Sequence, residues 1–281
     1  MTNCAASWKF AGRAVSLENA LLVGILNVTP DSFSDGGNFV SVEAALDHAL
    51  SMFEQGAEIV DVGGESTRPG AQSVSPAEQI ERVVPVIEAI RGCHNGLVSI
   101  DTTNAEVAMA ALDAGASVIN DVSAGGDDPT MFDMAMNAGA GIVLMHRLNA
   151  PWDDQYSDQY QVQPRYDGVV TDVLNWLIRR IEIAVEHGID ARAIAIDPGL
   201  GFGKSVEQNM ELVEGIGAFV ETGHPVFVGA SRKSFVGSVS GISDPASRDV
   251  ASAEIALSMQ KRGAQVFRVH DVRTHARMLQ S

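Results

Sequence analysis

Eight short apolar runs recur along the chain, and most are followed by a segment with the spacing of an amphipathic helix. They are 21–26 (LLVGIL), 57–62 (AEIVDV), 96–101 (GLVSID), 116–121 (ASVIND), 140–145 (AGIVLM), 192–197 (RAIAID), 225–229 (PVFVG) and 264–269 (AQVFRV). Runs this short and this apolar read as strands buried on both faces. Between the first two, Val42, Ala45, Leu46, Ala49, Leu50 and Phe53 mark one helix face over 41–55. Ile80, Val83, Val84, Ile87 and Ile90 do the same over 76–91, with Ser75 as cap and Pro76 at the first helical position. Glycines at 56, 115, 139 and 263 stand where left-handed helix ends are expected. Repeated strand-then-helix units demand a parallel sheet. Eight of them without a break in composition favour a single (β/α)8 barrel of the TIM type over residues 1–281, in preference to an open flavodoxin-like or Rossmann sheet. The first 16 residues read as an extra strand or ribbon at the barrel's base.

With 46% apolar residues in 281, the chain can bury a large core. Its net charge of −17 argues against nucleic acid, which is gripped by clustered Lys and Arg. An anionic substrate must therefore be drawn by a local basic site. No apolar run is long enough for a membrane span, and Cys4 and Cys93 form no framework, so a reducing cytoplasm is the expected home. The glycine-rich DPGLGFGKS (197–205) fails as a P-loop, because Pro198 occupies the position of the required first glycine. It fails as a dinucleotide fingerprint too, since Lys204 and Val206 stand where the third glycine belongs.

Polar residues fall where the strands end: Asn27, Asp61, Asp101, Asn120, His146, Asp197, Gly229 with Ser231, and His270 after Arg268. Any one could be a cap or a turn residue. In a barrel, however, all eight strand ends share one mouth, and a ring of carboxylates, amides and histidines there marks a site.

Eight stretches in order, GILNVTPDSFSDGG (24–37), DVGGESTRPGA (61–71), SIDT (99–102), INDVSAG (119–125), LMH (144–146), DPGLGFGK (197–204), GASRKSFVG (229–237) and RVHDV (268–272), resemble the dihydropteroate synthase family. The resemblance implies a TIM-type barrel that condenses 6-hydroxymethyl-7,8-dihydropterin diphosphate with p-aminobenzoate, releasing pyrophosphate and 7,8-dihydropteroate. It implies Mg²⁺ held by Asn27, a homodimer, and inhibition by sulfonamides. Asp101, Asn120 and Asp197 would meet the pterin's N–H edge, with donors from Lys233 and apolar walls from Met145 and Phe202. Arg268 and His270, two apart on the last strand and so on one face, would grip the diphosphate, with Arg68, Thr67 and Gly229 beside it. The catalytic set is then Asp101, Asp197, Lys233, Arg268 and His270. Phe33, Thr67, Pro69, Phe202, Ser231 and Lys233 would build the p-aminobenzoate site.

Two departures from that pattern occur: Arg147-Leu148-Asn149 follows His146 where the family often has Met-x-Gly, and Leu200 stands where many members have Phe. Residues 147–166, polar and aromatic, break the rhythm and read as a long connection, with a lid or partner surface as the alternative. The rival functions are a pterin-dependent methyltransferase, which needs no diphosphate grip, and a non-catalytic pterin-binding protein.

Overall fold

The computed structural model describes residues 5–29 and 42–280. Eight parallel strands form the barrel: β1 (Leu21–Asn27), β2 (Ile59–Gly63), β3 (Leu97–Asp101), β4 (Val118–Asp121), β5 (Gly141–Met145), β6 (Ile194–Asp197), β7 (Phe227–Val228) and β8 (Val266–Val269). Neighbours pair in the order β6-β5-β4-β3-β2-β1-β8-β7. The ring closes where Ile196 bridges Val226, with the Ile196 amide donating to the Pro225 carbonyl at 2.9 Å. All eight runs expected to be strands are strands. Their burial on both faces explains why alternation was absent from the sequence.

Helices fill the gaps between strands, among them Val42–Glu54, Pro76–Cys93 and Val169–Glu186. The Ser75 cap is present: its hydroxyl accepts from the Glu78 amide at 3.3 Å, with Pro76 opening the helix. Ser75→Ala should cost about 1 kcal/mol of stability, read as a lower urea midpoint at unchanged slope.

Residues Ser7–Phe10 and Arg13–Ser16 pair as an antiparallel ribbon. Its turn places Ala11 at φ 48° and Gly12 at φ 71°, both left-handed, as a two-residue hairpin loop requires. Fully buried Trp8 donates its indole N–H to the Ala193 carbonyl at 2.8 Å, and the Ala11 amide donates to the Gly139 carbonyl at 2.8 Å. Both acceptors precede a strand, so the ribbon caps the end of the barrel opposite the mouth. Among the described residues, no helix is long and apolar enough to cross a membrane.

Candidate active site

Strand register stacks the polar ends in layers. Asn27 pairs with Gly63, Gly63 with Asp101, and Asp101 with Asn120; on the far side Met145 pairs with Asp197. One layer below, Asp61 lies beside Ser99. Side chains two residues apart share a face, so Asp61 and Ser99 point the same way as Gly63 and Asp101 above them.

This lower layer anchors the site. Asp61 has no exposed surface, and a bare carboxylate there would be costly. It is saturated with donors: Ser99 Oγ at 2.5 Å, Asn120 Nδ2 at 3.0 Å and Arg268 Nε at 2.6 Å. Arg268 Nη2 extends to Asp101 Oδ2 at 2.6 Å. One guanidinium thus joins two carboxylates from different strands. The other Asp101 oxygen, Oδ1, is buried with no hydrogen-bond partner. Burial pushes the Asp101 carboxyl up to about 7, opposed by the Arg268 charge and reinforced by repulsion from Asp61. A buried acceptor left over beside a satisfied one is the signature of a missing donor.

Across the mouth, buried Asp197 accepts the Gly199 amide at 2.7 Å. Burial raises its carboxyl while the Lys233 charge pulls it down. Gly199 has φ 69°, and a Cβ there would lie 1.8 Å from the His146 carbonyl oxygen, so no other residue fits. Lys233 donates to the Leu200 carbonyl, and its Nζ lies 4.5 Å from the centroid of the Phe202 ring. Burial lowers Lys233 to about 8 against the attraction of Asp197. Ser231 Oγ accepts the His270 amide at 3.1 Å and lies 3.0 Å from His270 Nδ1. His270 is held neutral, down to about 3, first by burial and then by Arg232, Arg268, Arg68 and Lys233. Arg232 is paired with Asp249 at 2.7 and 2.8 Å and Arg268 with Asp61 and Asp101, so among the described residues Arg68 and Lys233 bring the charge that stands outside an ion pair.

The remaining expected residues can be placed. Thr67 shares a cleft with Asp101; Arg68 is exposed and Pro69 half-buried on the same loop. Gly229 lies beside Arg268, and Met145 is buried against Gly199. Asn27 ends β1 half-buried, its amide oxygen 3.6 Å from where a Gly63 Cβ would sit. Phe33 lies outside the described residues. Among those described, no group of three or more His, Cys, Asp or Glu is arranged to hold a metal. A single amide oxygen does suit Mg²⁺, which keeps waters and leans on phosphate oxygens.

Several supporting residues carry no role in the sequence reading. Asp61 belonged to the ring of strand ends, yet its function as a shared acceptor depends on Ser99, a lone hydroxyl inside an apolar run. Lys204 is fully buried, its Nζ 2.9 Å from the Gly199 carbonyl, 2.8 Å from that of Phe202 and 3.1 Å from His146 Nδ1. It ties the β6 loop to itself and to the end of β5. The glycine-rich loop is therefore wound around its own lysine.

The pterin binding enzyme family model matches residues 23–270. The dihydropteroate synthase of Streptococcus pyogenes serotype M6 is 46% identical over 265 residues, covering 94% of this chain and 95% of its own. Xanthomonas albilineans dihydropteroate synthase, solved with 4-aminobenzoic acid, superposes with a TM-score of 0.89 at 41% identity, over 98% of this chain and 96% of that one. The same enzyme in complex with 7,8-dihydropteroate gives a TM-score of 0.85 at 38% identity, over 98% and 96% of the two chains. The chain belongs to the pterin-binding enzyme family, in its dihydropteroate synthase branch.

Proposed function

We propose that this protein condenses 6-hydroxymethyl-7,8-dihydropterin diphosphate with p-aminobenzoate to give 7,8-dihydropteroate and pyrophosphate. The observation that carries the reading is a mouth with two opposite halves. Its floor holds Asp61, Asp101, Asn120 and Asp197, with an orphaned acceptor on Asp101; beside it stand Arg268, which spans Asp61 and Asp101, Lys233 against Phe202, and His270 on Ser231, with Arg68 on the loop after β2. A ligand with N–H donors at one end and a diphosphate at the other matches both.

In this reading Asp101 Oδ1, Asp197 and the Asn120 amide oxygen accept the pterin's N–H groups, and Lys233 donates to the ring. Met145 and Phe202 flank it. Arg68, His270, Gly229 and the third Arg268 nitrogen, Nη1, face the diphosphate; the other two Arg268 nitrogens stay on carboxylates. Asn27 would hold Mg²⁺, which supplies charge neutralisation to the diphosphate oxygens. The bond from the pterin methylene to oxygen breaks with its electron pair going to pyrophosphate. The methylene cation left behind is spread over the ring, and the Asp101 and Asp197 carboxylates stabilise it through space. The p-aminobenzoate nitrogen, unprotonated at neutral pH, closes the new C–N bond and then releases a proton to water. Thr67, Pro69, Phe33, Phe202, Ser231 and Lys233 hold that second substrate. No strong base is needed, which suits a His270 held neutral by its surroundings. The same reading includes a cytoplasmic homodimer, testable by sedimentation.

Pyrophosphate release should require both substrates, yield dihydropteroate, and vanish with EDTA and return with Mg²⁺. Release in the absence of p-aminobenzoate would identify a hydrolase instead, and pterin binding without turnover would leave a binding protein.

A further inference from the structure

The excursion after β5 is built with a period of three. Pro151, Asp154 and Ser157 are buried, while Trp152, Asp153, Gln155 and Tyr156 between them are exposed. Each buried residue meets a different part of the mouth. The Pro151 carbonyl accepts the Gly70 amide, in the loop after β2, at 2.9 Å. Asp154 Oδ2 accepts the Gly203 amide, in the loop after β6, at 2.8 Å. The Ser157 amide donates to Ser234 Oγ at 3.0 Å, one residue beyond Lys233, and Ser157 Oγ accepts from Asn209 Nδ2 at 3.0 Å. Asn209 in turn accepts the Gly201 amide at 2.7 Å. The three elements so joined carry Thr67 and Pro69, Phe202, and Ser231 and Lys233. Pro151 and Trp152 also line the cleft that contains Thr67 and Asp101.

Asp154 is the centre of this strap. Its other oxygen accepts the Gln155 amide at 2.9 Å and the Tyr160 hydroxyl, so the carboxylate is satisfied on both sides although it is buried. Among the described residues its side-chain hydrogen bonds run to Gly203, Gln155 and Tyr160, and to none of the strand ends. Its partner Gly203 follows Phe202 directly, and its chain neighbour three residues back holds the β2 loop. A shift of this one group moves two walls of the amine site against each other, and a displacement of about 1 Å far from the reacting atoms is enough to cost rate heavily.

We propose that Asp154 is a positioning residue for the amine substrate, setting through the 151–157 strap the distance between the β2 loop and the β6 loop; this rests on the condensation reading above. The strap reaches the pterin only through Phe202 and Lys233; the floor of strand ends, Asp101, Asn120 and Asp197, is held by other bonds. The long connection is thus neither idle nor a free lid. It is a brace.

The test uses the full-length protein with Asp154→Ala and Asp154→Asn, the latter keeping one acceptor oxygen for the Gly203 amide. For Asp154→Ala, KM for p-aminobenzoate should rise about tenfold, with a smaller rise in KM for the pterin diphosphate, which shares Phe202 and Lys233 but keeps its floor on Asp101, Asn120 and Asp197, and Asp154→Asn should recover most of the loss. Hydrogen exchange supplies a readout that needs no turnover: the Gly70 amide should exchange faster in Asp154→Ala although its own acceptor, Pro151, is intact. Equal rises in both KM values, or a Gly70 amide that exchanges as in the wild type, would overturn the proposal. Should Asp154→Ala not fold, the same two measurements on Asp154→Asn decide it, with smaller shifts in the same directions. If the wild-type protein does not turn over this substrate pair, the condensation reading fails and the exchange experiment alone decides the brace.

Discussion

Arg268→Met is expected to lower folding stability by about 3–5 kcal/mol at pH 8, the cost of stranding a buried charge rather than of losing a surface pair. Methionine keeps much of the stem's volume, so the loss is electrostatic and not a cavity. Asp61 would retain Ser99 and Asn120 but lose its one cationic partner among the described residues, and Asp101 Oδ2 would join Oδ1 without a donor. The pH dependence gives the effect its sign. Removing Arg268 takes away the positive charge that lowers the Asp101 carboxyl, so the folded-state value moves further above the unfolded one. A raised carboxyl penalises the folded state above its folded pKa, and the penalty fades as pH falls toward the unfolded value, where both states are protonated. Urea unfolding at pH 8 and pH 5 should therefore show a smaller gap between variant and wild type at pH 5. An equal gap at both would mean that the deficit comes from packing.

Asp101→Asn should behave oppositely in stability and fail in function. Asparagine imitates the protonated carboxyl, so the variant escapes the wild-type penalty; it should be more stable than wild type at pH 8 and level with it near pH 4. Its kcat/KM for the pterin substrate should fall on the order of 100-fold, the loss of charged hydrogen bonds to the ring. In the wild type, kcat/KM should climb with pH and level off above about 7, where Asp101 is ionised in the free enzyme. That rising limb should be absent from Asp101→Asn. A variant that kept both the limb and the activity would move the pterin anchor elsewhere, with Asp197 the next residue to test.

How much of this was legible in the sequence follows from distance along the chain. Each strand is a local apolar run, and each polar strand end is a local interruption of one, so the barrel and the ring of site residues could be read directly. The links among them could not. Asp61 meets Ser99, Asn120 and Arg268 across 38, 59 and 207 residues, and which of three carboxylates shares the guanidinium depends on register alone. The family resemblance implied Arg268 as a diphosphate ligand, whereas two of its nitrogens are committed to Asp61 and Asp101. Lys204 read as one more loop cation; its burial depends on how the glycines wind around it. Residues 147–166 lacked any α-helical or strand period because the period of three at 151–157, which opens with a 3-10 turn at Pro151–Asp153, serves the neighbouring loops. The ribbon's position was visible only as a short segment before the first strand.

The seam between β6 and β7 has a thermodynamic consequence. The pairing here is the shortest, a single bridge at Ile196 and Val226, against two rungs between β7 and β8 and three or more in the other pairs. The barrel is a rolled ribbon with one short seam, pinned at Ile196 and tied again by His224 Nδ1, 3.2 Å from the Ile194 carbonyl, and by Lys233 on the Leu200 carbonyl. Asp197 stands on one side of the pin and Lys233 on the other. A ligand held by both residues laces the roll shut, and its binding energy becomes resistance to unrolling. Occupancy of the site then adds to the closure that the chain's own seam contacts give.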